Sequence, residues 1–532
     1  MHSREFGNMP LTRALLFVAA TTVILSLILM GVRISGAMSF TYPVHVVTSG
    51  WEQESLFAIW KYVHGMAVYD DPYSIPYSIA FFNWLFYEFY GTYVALVKSV
   101  LNTNDEWLPT IARSATFLGL IVGVVFSYKA FLATSNAQSK PLRILSLAFA
   151  VYLMFGPLVG YWGVTVRSDI WGMVLEVGAV YVFWKFFPKR PYLAVVLTAI
   201  MLFGAWSFKQ VDVFSAIAVG LYLLFHLKIK PLILLTFTYF AFVAAVIVFA
   251  TDEYIETIFF RPAIYGFDFA HLLRNLQNFI IKSTPALFPL AVIFVAIIFS
   301  SDIRRAVWAN QAGRFFAISI LPLFLVVLLI SSKVGAAENY YFAFSFYAAA
   351  SVIVFLKIVF EDEALQQGRS FTVFRNTTVN VMILGWGTAA VAVSTVLFGF
   401  NGITSLQSQH ERHTAIQACL QKMPLPVYVP NMYASLPWIN LSDPPIVLSW
   451  NYRLERRLGL EFERDGVGGL INDGHFESLL LSEPQSDQDG MPKDMLEKKF
   501  RSGPISELDG GSLNGYRNTG QKCADHVIFL KK

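Results

Sequence analysis

The segment Leu15–Ile34 reads LLFVAATTVILSLILMGVRI, and Arg33 is its only charged residue. A helix of roughly 20 apolar residues is long enough to cross the hydrocarbon core of a bilayer. The apolar run is longer than a signal-peptide core of about 15 residues, and no small-residue cleavage site follows it before Arg33. The segment therefore predicts a retained transmembrane helix.

The composition of the whole chain agrees with a membrane protein. Of its 532 residues, 55% are hydrophobic, 16% are aromatic and only 14% are charged, whereas about a quarter of an average soluble domain is charged. No soluble core could bury this much apolar surface. The composition excludes an ordinary cytosolic enzyme, a disordered protein and a nucleic-acid-binding protein, and the formal net charge of +4 says little about other partners.

Further apolar runs follow the first, so we expect about eleven spans of the length that a bilayer requires. The others lie near Ala112–Leu132, Ile144–Gly163, Ile170–Phe187, Ala194–Trp206, Val213–Leu227, Leu232–Ala250, Ala286–Ser300, Phe315–Ser331, Tyr340–Val359 and Val379–Phe400.

The distribution of Lys and Arg predicts the orientation. Cytoplasmic loops are enriched in these residues. If the N-terminus is cytoplasmic, most of them fall in inward loops, and the short outward loops hold only Arg167, Lys209 and Lys333. An odd number of spans then places the C-terminal tail outside.

These patterns predict a mainly α fold in two parts. Residues 1–400 form a polytopic transmembrane helix bundle with a long first outward loop at 35–113, and residues 401–532 form a small extracytoplasmic α/β domain. Three short apolar runs of this domain predict strands, and a fourth stretch predicts helical or mixed structure. They are Val427–Val429, Ile446–Trp450 and His526–Leu530, and Asn451–Leu460.

Both cysteines of the chain, Cys419 and Cys523, lie in this tail, one towards each end. In an oxidising exterior they would close a loop of roughly 100 residues, which the chain-entropy model values at up to about 4.7 kcal/mol. The alternative is two free thiols. Pairing would independently support an extracytoplasmic tail.

Two acids stand out in the first outward loop, where residues 48–60 read TSGWEQESLFAIW. Carboxyl groups beside a low-dielectric surface acquire raised pKa values, so Glu52 or Glu54 could accept a proton from an attacking hydroxyl. The pair could instead hold a divalent cation through its oxygens, or simply cap a membrane-surface helix. The aromatic stretch Pro76–Tyr87 predicts an interfacial helix.

Isolated polar groups occupy the outer ends of several later spans. They include Arg167, Asp169, Lys209, Gln210, Asp212, Lys333, Glu338, Asn339 and Tyr340. Cations that converge from different helices would suit a lipid-linked phosphate. The alternative is local pairing, of Arg167 with Asp169 and of Lys209 with Asp212. Glu176, the only acid placed well inside a span, predicts either a hydrogen bond between helices or a proton relay.

The ordered set of these motifs resembles the GT-C class of polytopic glycosyltransferases, in particular bacterial relatives of the protein O-mannosyltransferases and of the lipid A aminoarabinose transferase. The resemblance covers roughly residues 10–400. The matching pieces are Glu52 with Glu54, Ala58-Ile59-Trp60, His64-Gly65, Val68-Tyr69-Asp70-Asp71-Pro72, Val166-Arg167-Ser168-Asp169, Phe208-Lys209-Gln210 and Ala337-Glu338-Asn339-Tyr340-Tyr341.

This resemblance implies a hexosyl- or pentosyltransferase of the bacterial inner membrane. It would move a sugar from a polyprenyl-phosphate-linked donor to a glycan, lipid or protein acceptor at the outer face, with inversion. Glu52 would be the catalytic acid in the first loop and Glu54 its partner, while Arg167 and Lys209 would bind the donor phosphate. The residues lining the site would be Asp70, Asp71, Asp169, Gln210, Glu338, Asn339 and Tyr340. Many relatives have Asp at the first acid position, whereas both candidates here are Glu.

A transporter or flippase of lipid-linked saccharides is the main alternative function. Such proteins often show inverted repeats, interrupted helices and ionisable residues at mid-membrane. Here the polar groups gather at one face and a folded outer domain is appended, which favours catalysis. A non-catalytic scaffold would be indicated by loss of both acids, and both are present.

Overall fold

The structure is a computed structural model that describes residues 9–38, 40–44, 51–361, 369–399, 403–430, 435–448, 450–482, 508–509, 511–524 and 526–532. Arg4, one of the N-terminal basic residues that support the predicted orientation, lies outside these ranges.

Helices dominate the first part of the chain. In chain order they are α1 Met9–Ala37, α2 Trp51–Val63, α3 Trp84–Leu101, α4 Leu108–Ser135, α5 Lys140–Phe155, α6 Asp169–Phe186, α7 Pro191–Phe208, α8 Phe214–Phe225, α9 Ile229–Phe249, α10 Asp252–Ile255, α11 Arg261–Ile264, α12 Phe269–Phe299, α13 Ser301–Ala309, α14 Gln311–Ser331, α15 Phe342–Glu361 and α16 Arg369–Gly399. Short 3-10 turns at Asp105–Trp107, Gly160–Val164 and Glu338–Tyr341 and a π-helical turn at Glu256–Phe260 connect some of them.

In the described part of the chain, eight helices are long and apolar enough to cross a membrane, namely α1, α4, α7, α9, α12, α14, α15 and α16. The other three predicted spans fall on α5, α6 and α8, which have 16, 18 and 12 residues. Of these, α6 also carries three charged residues, Asp169, Glu176 and Lys185. The predicted polytopic, mainly helical fold is confirmed.

Two predicted boundaries were wrong for physical reasons. The span predicted at Ile144–Gly163 ends as a helix at Phe155, because the Gly156-Pro157 step that follows disfavours helical backbone. The predicted loop before Ala286 is instead the first half of α12. One of its polar side chains, Asn275, finds partners inside the protein, since its amide donates to the carbonyls of Ser331 and Ala336 at 2.9 and 3.0 Å.

The predicted interfacial helix also begins later than expected. Residues 78–83 are not helical, and α3 begins at Trp84, whose backbone N–H donates to the Asn83 side chain at 2.8 Å. Because Asn is a strong N-cap residue, it fixes the start of the helix after the Pro-containing segment.

The bundle has a buried centre and an exposed edge. In the central helix α15, 89% of the most apolar window is buried inside the protein, whereas in α9 only 6% is. Helix α6 packs between α4 and α7, and α1 packs against α5 and α16. Helix α9 therefore lies at the edge of the bundle with few of its side chains fully buried, and α6 carries its N-terminal residues into the interior of the protein.

The C-terminal part contains helices and a small sheet. The helices are α17 Ile403–Leu420, α18 Trp450–Arg457 and α19 Gly466–Asn472, and the strands are β1 Val427–Tyr428, β2 Ser478–Ser482, β3 Tyr516–Cys523 and β4 His526–Lys531. The strand order is β1-β2-β4-β3, with β1 parallel to β2 and the other neighbours antiparallel. Leu480 of β2 pairs with Ile528 of β4.

Two of the three predicted strands and the predicted helix are present in this domain. The described residues of Ile446–Trp450 do not form a strand, and β2 and β3 were not predicted. Ile446 and Leu448 are buried in the apolar core of the domain without joining the sheet. The apolar run therefore indicates buried side chains and not a strand of the sheet.

Cys419 of α17 and Cys523 of β3 form a disulfide, as predicted. The first outward loop also enters this domain. Tyr77 is fully buried in its apolar core, and its hydroxyl donates to the carbonyl of Glu463 at 2.8 Å. The two parts predicted on either side of residue 400 therefore do not pack independently, because a residue of the first outward loop lies in the apolar core of the second part.

Candidate functional site

Glu52, the predicted catalytic acid, lies in the first turn of α2 and is fully buried. Its Oε1 accepts from Arg113 Nε at 2.9 Å and its Oε2 from Arg113 Nη2 at 3.1 Å. The backbone N–H groups of Val44 and Val166 also donate to this carboxylate. The two oxygens of Glu52 thus accept four hydrogen bonds in total.

Arg113 extends this network on its other side. Its Nη1 donates to the carbonyls of Ala37 and Phe40, and its Nη2 donates to the carbonyl of Tyr42 at 2.6 Å. The guanidinium therefore joins the segment after α1 to the start of α4 and, through Glu52, to α2. Arg113 is not among the site residues predicted from the sequence. Its signal was a cation within the first turns of an otherwise apolar span, which is costly unless it is paired.

Glu54, the second predicted acid, leaves α2 on a different side. Residues two apart on a helix point about 200° apart, so the structure does not bring the two carboxylates together. Glu54 is buried near Tyr87 of α3, and burial together with this carboxylate raises the pKa of the Tyr87 phenol. Between the two acids, Gln53 donates to Ser435 Oγ at 3.1 Å and to the Leu448 carbonyl at 3.3 Å in the C-terminal domain.

The predicted phosphate-binding cations converge, and they do so on an acid. Asp169 Oδ1 accepts from Lys209 Nζ at 2.5 Å and from Asn339 Nδ2 at 2.6 Å, and its Oδ2 accepts from Arg167 Nε at 3.2 Å. All four side chains are buried. The expected pairing of Arg167 with Asp169 is therefore present, whereas Lys209 bonds to Asp169 in place of the expected Asp212.

Aromatic rings cover both cations. The Arg167 guanidinium lies 4.0 Å from the centre of the Trp162 ring, and Lys209 Nζ lies 4.1 Å from the centre of the Tyr340 ring. Cations are attracted to such ring faces. Two cations and one carboxylate leave this cluster with a formal charge of +1. The cluster of Arg167, Asp169, Lys209, Asn339 and Tyr340 is called the cation cluster below.

The cation cluster and Glu52 are neighbours. The Val166 N–H donates to Glu52 at 3.1 Å, and Val166 immediately precedes Arg167. Tyr90 of α3 joins the same region, since its hydroxyl donates to the Arg167 carbonyl at 3.3 Å. The structure thus brings the start of α2 together with one end of each of three later helices, α6, α7 and α15.

Other predicted lining residues have separate partners. Asp70 pairs with the buried Lys61 of α2 at 2.8 Å, and burial raises the pKa of Asp70. Asp71 accepts from the Tyr73 N–H and the Ser74 hydroxyl in a turn. Glu338 forms an ion pair with Lys282 of α12.

Gln210 follows Lys209 directly but takes no visible part in the cation cluster. Its side-chain oxygen is buried, and it makes no hydrogen bond with the residues that the structure describes. The described ranges also contain no group of three or more His, Cys, Asp or Glu side chains suited to a metal ion. A divalent cation on Glu52 and Glu54 stays a prediction, one that their divergence on α2 does not favour.

Comparison with solved structures places the fold. The chain superposes on ArnT from Cupriavidus metallidurans with a TM-score of 0.52 for the apo state and 0.51 for the form bound to undecaprenyl phosphate. Sequence identity is 11% in both cases, and the match covers 95% of this chain and 97% of ArnT. The predicted GT-C-like fold, including the C-terminal part, is confirmed at nearly full length.

The oligosaccharyltransferase of Archaeoglobus fulgidus also matches, with a TM-score of 0.45 and 13% identity over 71% of this chain. The chain spans just over half (55%) of the length of that protein. No protein-family model matches the chain. No curated protein matches it either.

Proposed function

We propose that this chain is an integral membrane glycosyltransferase that uses a polyprenyl-phosphate-linked sugar as its donor. The observation that carries the proposal is the cation cluster, in which side chains from three separate parts of the chain meet at the outer ends of their helices. The ArnT fold supports it, because that protein has been solved with undecaprenyl phosphate bound.

The cation cluster suits the leaving group of such a reaction. When the acceptor oxygen attacks C1 of the sugar, the bond from C1 to the phosphate oxygen breaks and the lipid phosphate gains negative charge. Preorganised cations in a water-poor site stabilise charge as it develops. Arg167 and Lys209 would bind this phosphate, and Asn339 and Tyr340 would line the site. Because the cluster is buried, the phosphate enters only when neighbouring side chains move.

We assign the proton-accepting role to Glu54 rather than Glu52. Glu52 already accepts four hydrogen bonds, two of them from a guanidinium, and these occupy the roughly four acceptor sites that a carboxylate offers. Its role is to position α2 and the backbone beside Arg167. Glu54 is the other acid of the pair at the start of α2, and it would take the proton of the attacking acceptor hydroxyl.

The proposed reaction takes place on the extracytoplasmic face, with the N-terminus cytoplasmic and the C-terminal domain outside. The acceptor would be an envelope glycan, lipid or protein. The Lys and Arg distribution supports this orientation, and the disulfide between Cys419 and Cys523 supports an oxidising compartment for the tail.

The test compares envelope glycans and lipid-linked sugars by mass spectrometry in a deletion strain and in strains complemented with the wild type, Glu54→Gln or Glu106→Gln. Glu106 is an exposed acid that serves as the control. We expect deletion and Glu54→Gln to remove one sugar from a glycan while its polyprenyl-phosphate form accumulates. Full restoration by Glu54→Gln would contradict the assignment of the base. A lipid-linked sugar that accumulates only on the cytoplasmic side would indicate a flippase instead.

A further inference from the structure

A basic groove lies at the end of the bundle opposite to the cation cluster. Helix α6 has Asp169 at its first residue and ends at Phe186, and its 18 residues rise about 27 Å. This rise is close to the roughly 30 Å thickness of a hydrocarbon core. The groove beyond its far end therefore lies at the other membrane interface.

Three parts of the chain form this groove, which has a volume of about 830 Å³. Phe187 follows the end of α6 and Tyr192 lies at the start of α7, while Lys228 and Lys230 come from the start of α9 and Gln311 from the start of α14. The Gln311 amide donates to the Tyr222 hydroxyl at 2.6 Å, which ties α14 to α8 at this point. The groove has the size of a small-molecule site.

The charges around the groove are positive and are not neutralised. Lys189 and Arg190 lie between its lining residues Pro188 and Pro191. The sequence contains no Asp or Glu at 177–211 or at 213–251, and α14 contains none. Within the described ranges, neither these two cations nor Lys228, Lys230 and Arg314 form an ion pair.

Two buried nitrogens behind the groove strengthen this observation. Arg314 lies one turn after Gln311, and its Nε is buried without a hydrogen-bond partner among the described residues. The same holds for Nε2 of His226, which lies within electrostatic range of Arg314 and Lys228. Burying polar groups without partners is costly, and the Arg314 Nε–H is a donor that lacks an acceptor among the described residues.

From these observations we propose that the groove binds the phosphate headgroup of an anionic phospholipid. The acyl chains would lie along α9, which begins in the groove and has few fully buried side chains. Basic side chains attract anionic lipids at such an interface. This site is separate from the donor site and does not depend on the proposed sugar transfer.

The experiment titrates the purified full-length protein in detergent with short-chain phosphatidylglycerol, phosphatidylcholine and inorganic phosphate, with native mass spectrometry as the readout. The variant is Lys228→Gln/Lys230→Gln. Each basic residue near a membrane surface contributes roughly fivefold in affinity, so we expect the double variant to bind phosphatidylglycerol roughly 25-fold more weakly. Phosphatidylcholine binding should not change.

The matched control is Arg304→Gln/Arg305→Gln, which removes the same charge from exposed residues of the neighbouring helix α13. A Lys228→Arg/Lys230→Arg variant separates loss of charge from misfolding and should restore binding. Equal weakening in the control, or unchanged binding in the double Gln variant, would overturn the proposal. Displacement of the lipid by inorganic phosphate at similar concentrations would identify a soluble phosphate as the ligand and would equally overturn it.

Discussion

The Glu52 carboxylate and the Arg113 guanidinium form a fully buried two-point ion pair, with Oε1 2.9 Å from Nε and Oε2 3.1 Å from Nη2. This pair holds the first outward loop against the start of α4. The primary role of a carboxylate paired in this way is to stabilise the fold.

We therefore expect Glu52→Ala to destabilise the protein. Loss of one member leaves the other charge buried and unpaired, at a cost of roughly 3–5 kcal/mol. Thermal unfolding in detergent should show a clearly lower Tm, while the exposed-acid variant Glu106→Ala should unfold like the wild type. If Glu52→Ala kept the wild-type Tm and lost only transfer, Glu52 would be the base after all.

The cation cluster predicts a specific effect of Lys209→Ala on the donor. Hydrogen bonds to charged groups are worth roughly 1.5–3 kcal/mol, so the affinity for the polyprenyl-phosphate donor should fall about tenfold or more. Acceptor binding should change little. Lys333→Ala is the matched control, because Lys333 lies outside the cluster and its backbone pairs with Phe267. An unchanged donor affinity in Lys209→Ala would contradict the phosphate assignment.

Asp212 predicts a dependence of stability on pH. Burial, with the charges of Glu176 and Asp169 adding to it and Lys209 opposing it, raises the pKa of this carboxyl well above its usual value. A raised pKa in the folded state means that stability is greatest below the unfolded value of about 3.9 and falls as the pH rises through the folded value. Asp212→Asn should remove this fall.

The check is the Tm of the wild type and of Asp212→Asn over a series of pH values. The two curves should lie close together at low pH and separate as the pH rises, with the variant the more stable. Parallel curves would show that the pKa of Asp212 is the same in the folded and unfolded states, and would contradict the raised value.

The C-terminal domain is joined to the bundle by Arg261 and Glu455, a second buried ion pair, with Nε 2.8 Å from Oε1. Glu455→Ala should leave Arg261 unpaired and loosen this joint, again at roughly 3–5 kcal/mol. Limited proteolysis should then release the domain faster than in the wild type. Asp473→Ala, which breaks the exposed pair with Arg464, should have almost no effect, and equal rates for both variants would argue against the joint.

The disulfide predicts that peptide mapping without reductant finds Cys419 linked to Cys523 and no free thiol. Its loop spans 104 residues, for which the chain-entropy model gives up to about 4.7 kcal/mol. Cys419→Ser/Cys523→Ser should therefore lower the Tm of the C-terminal domain. Alkylation of both thiols in the intact protein would contradict the pairing.

The sequence by itself determined the long apolar helices that are able to cross a membrane. Apolar runs such as Leu15–Ile34 have one low-energy solution in a bilayer, because only a helix satisfies all backbone hydrogen bonds locally. The positions of Arg167 and Lys209 at helix ends follow from the same rule. Boundaries were less predictable where polar residues found internal partners, as Asn275 did in α12.

Only the tertiary structure decided which charges meet. Glu52 and Arg113 are 61 residues apart, and Asp169 and Asn339 are 170 apart, so no local pattern relates them. From the sequence alone, the Glu52 carboxylate could be a base, a cation ligand or a helix cap. Its role depends on the donors that the fold brings to it, because the four hydrogen bonds to Glu52 occupy the roughly four acceptor sites of a carboxylate.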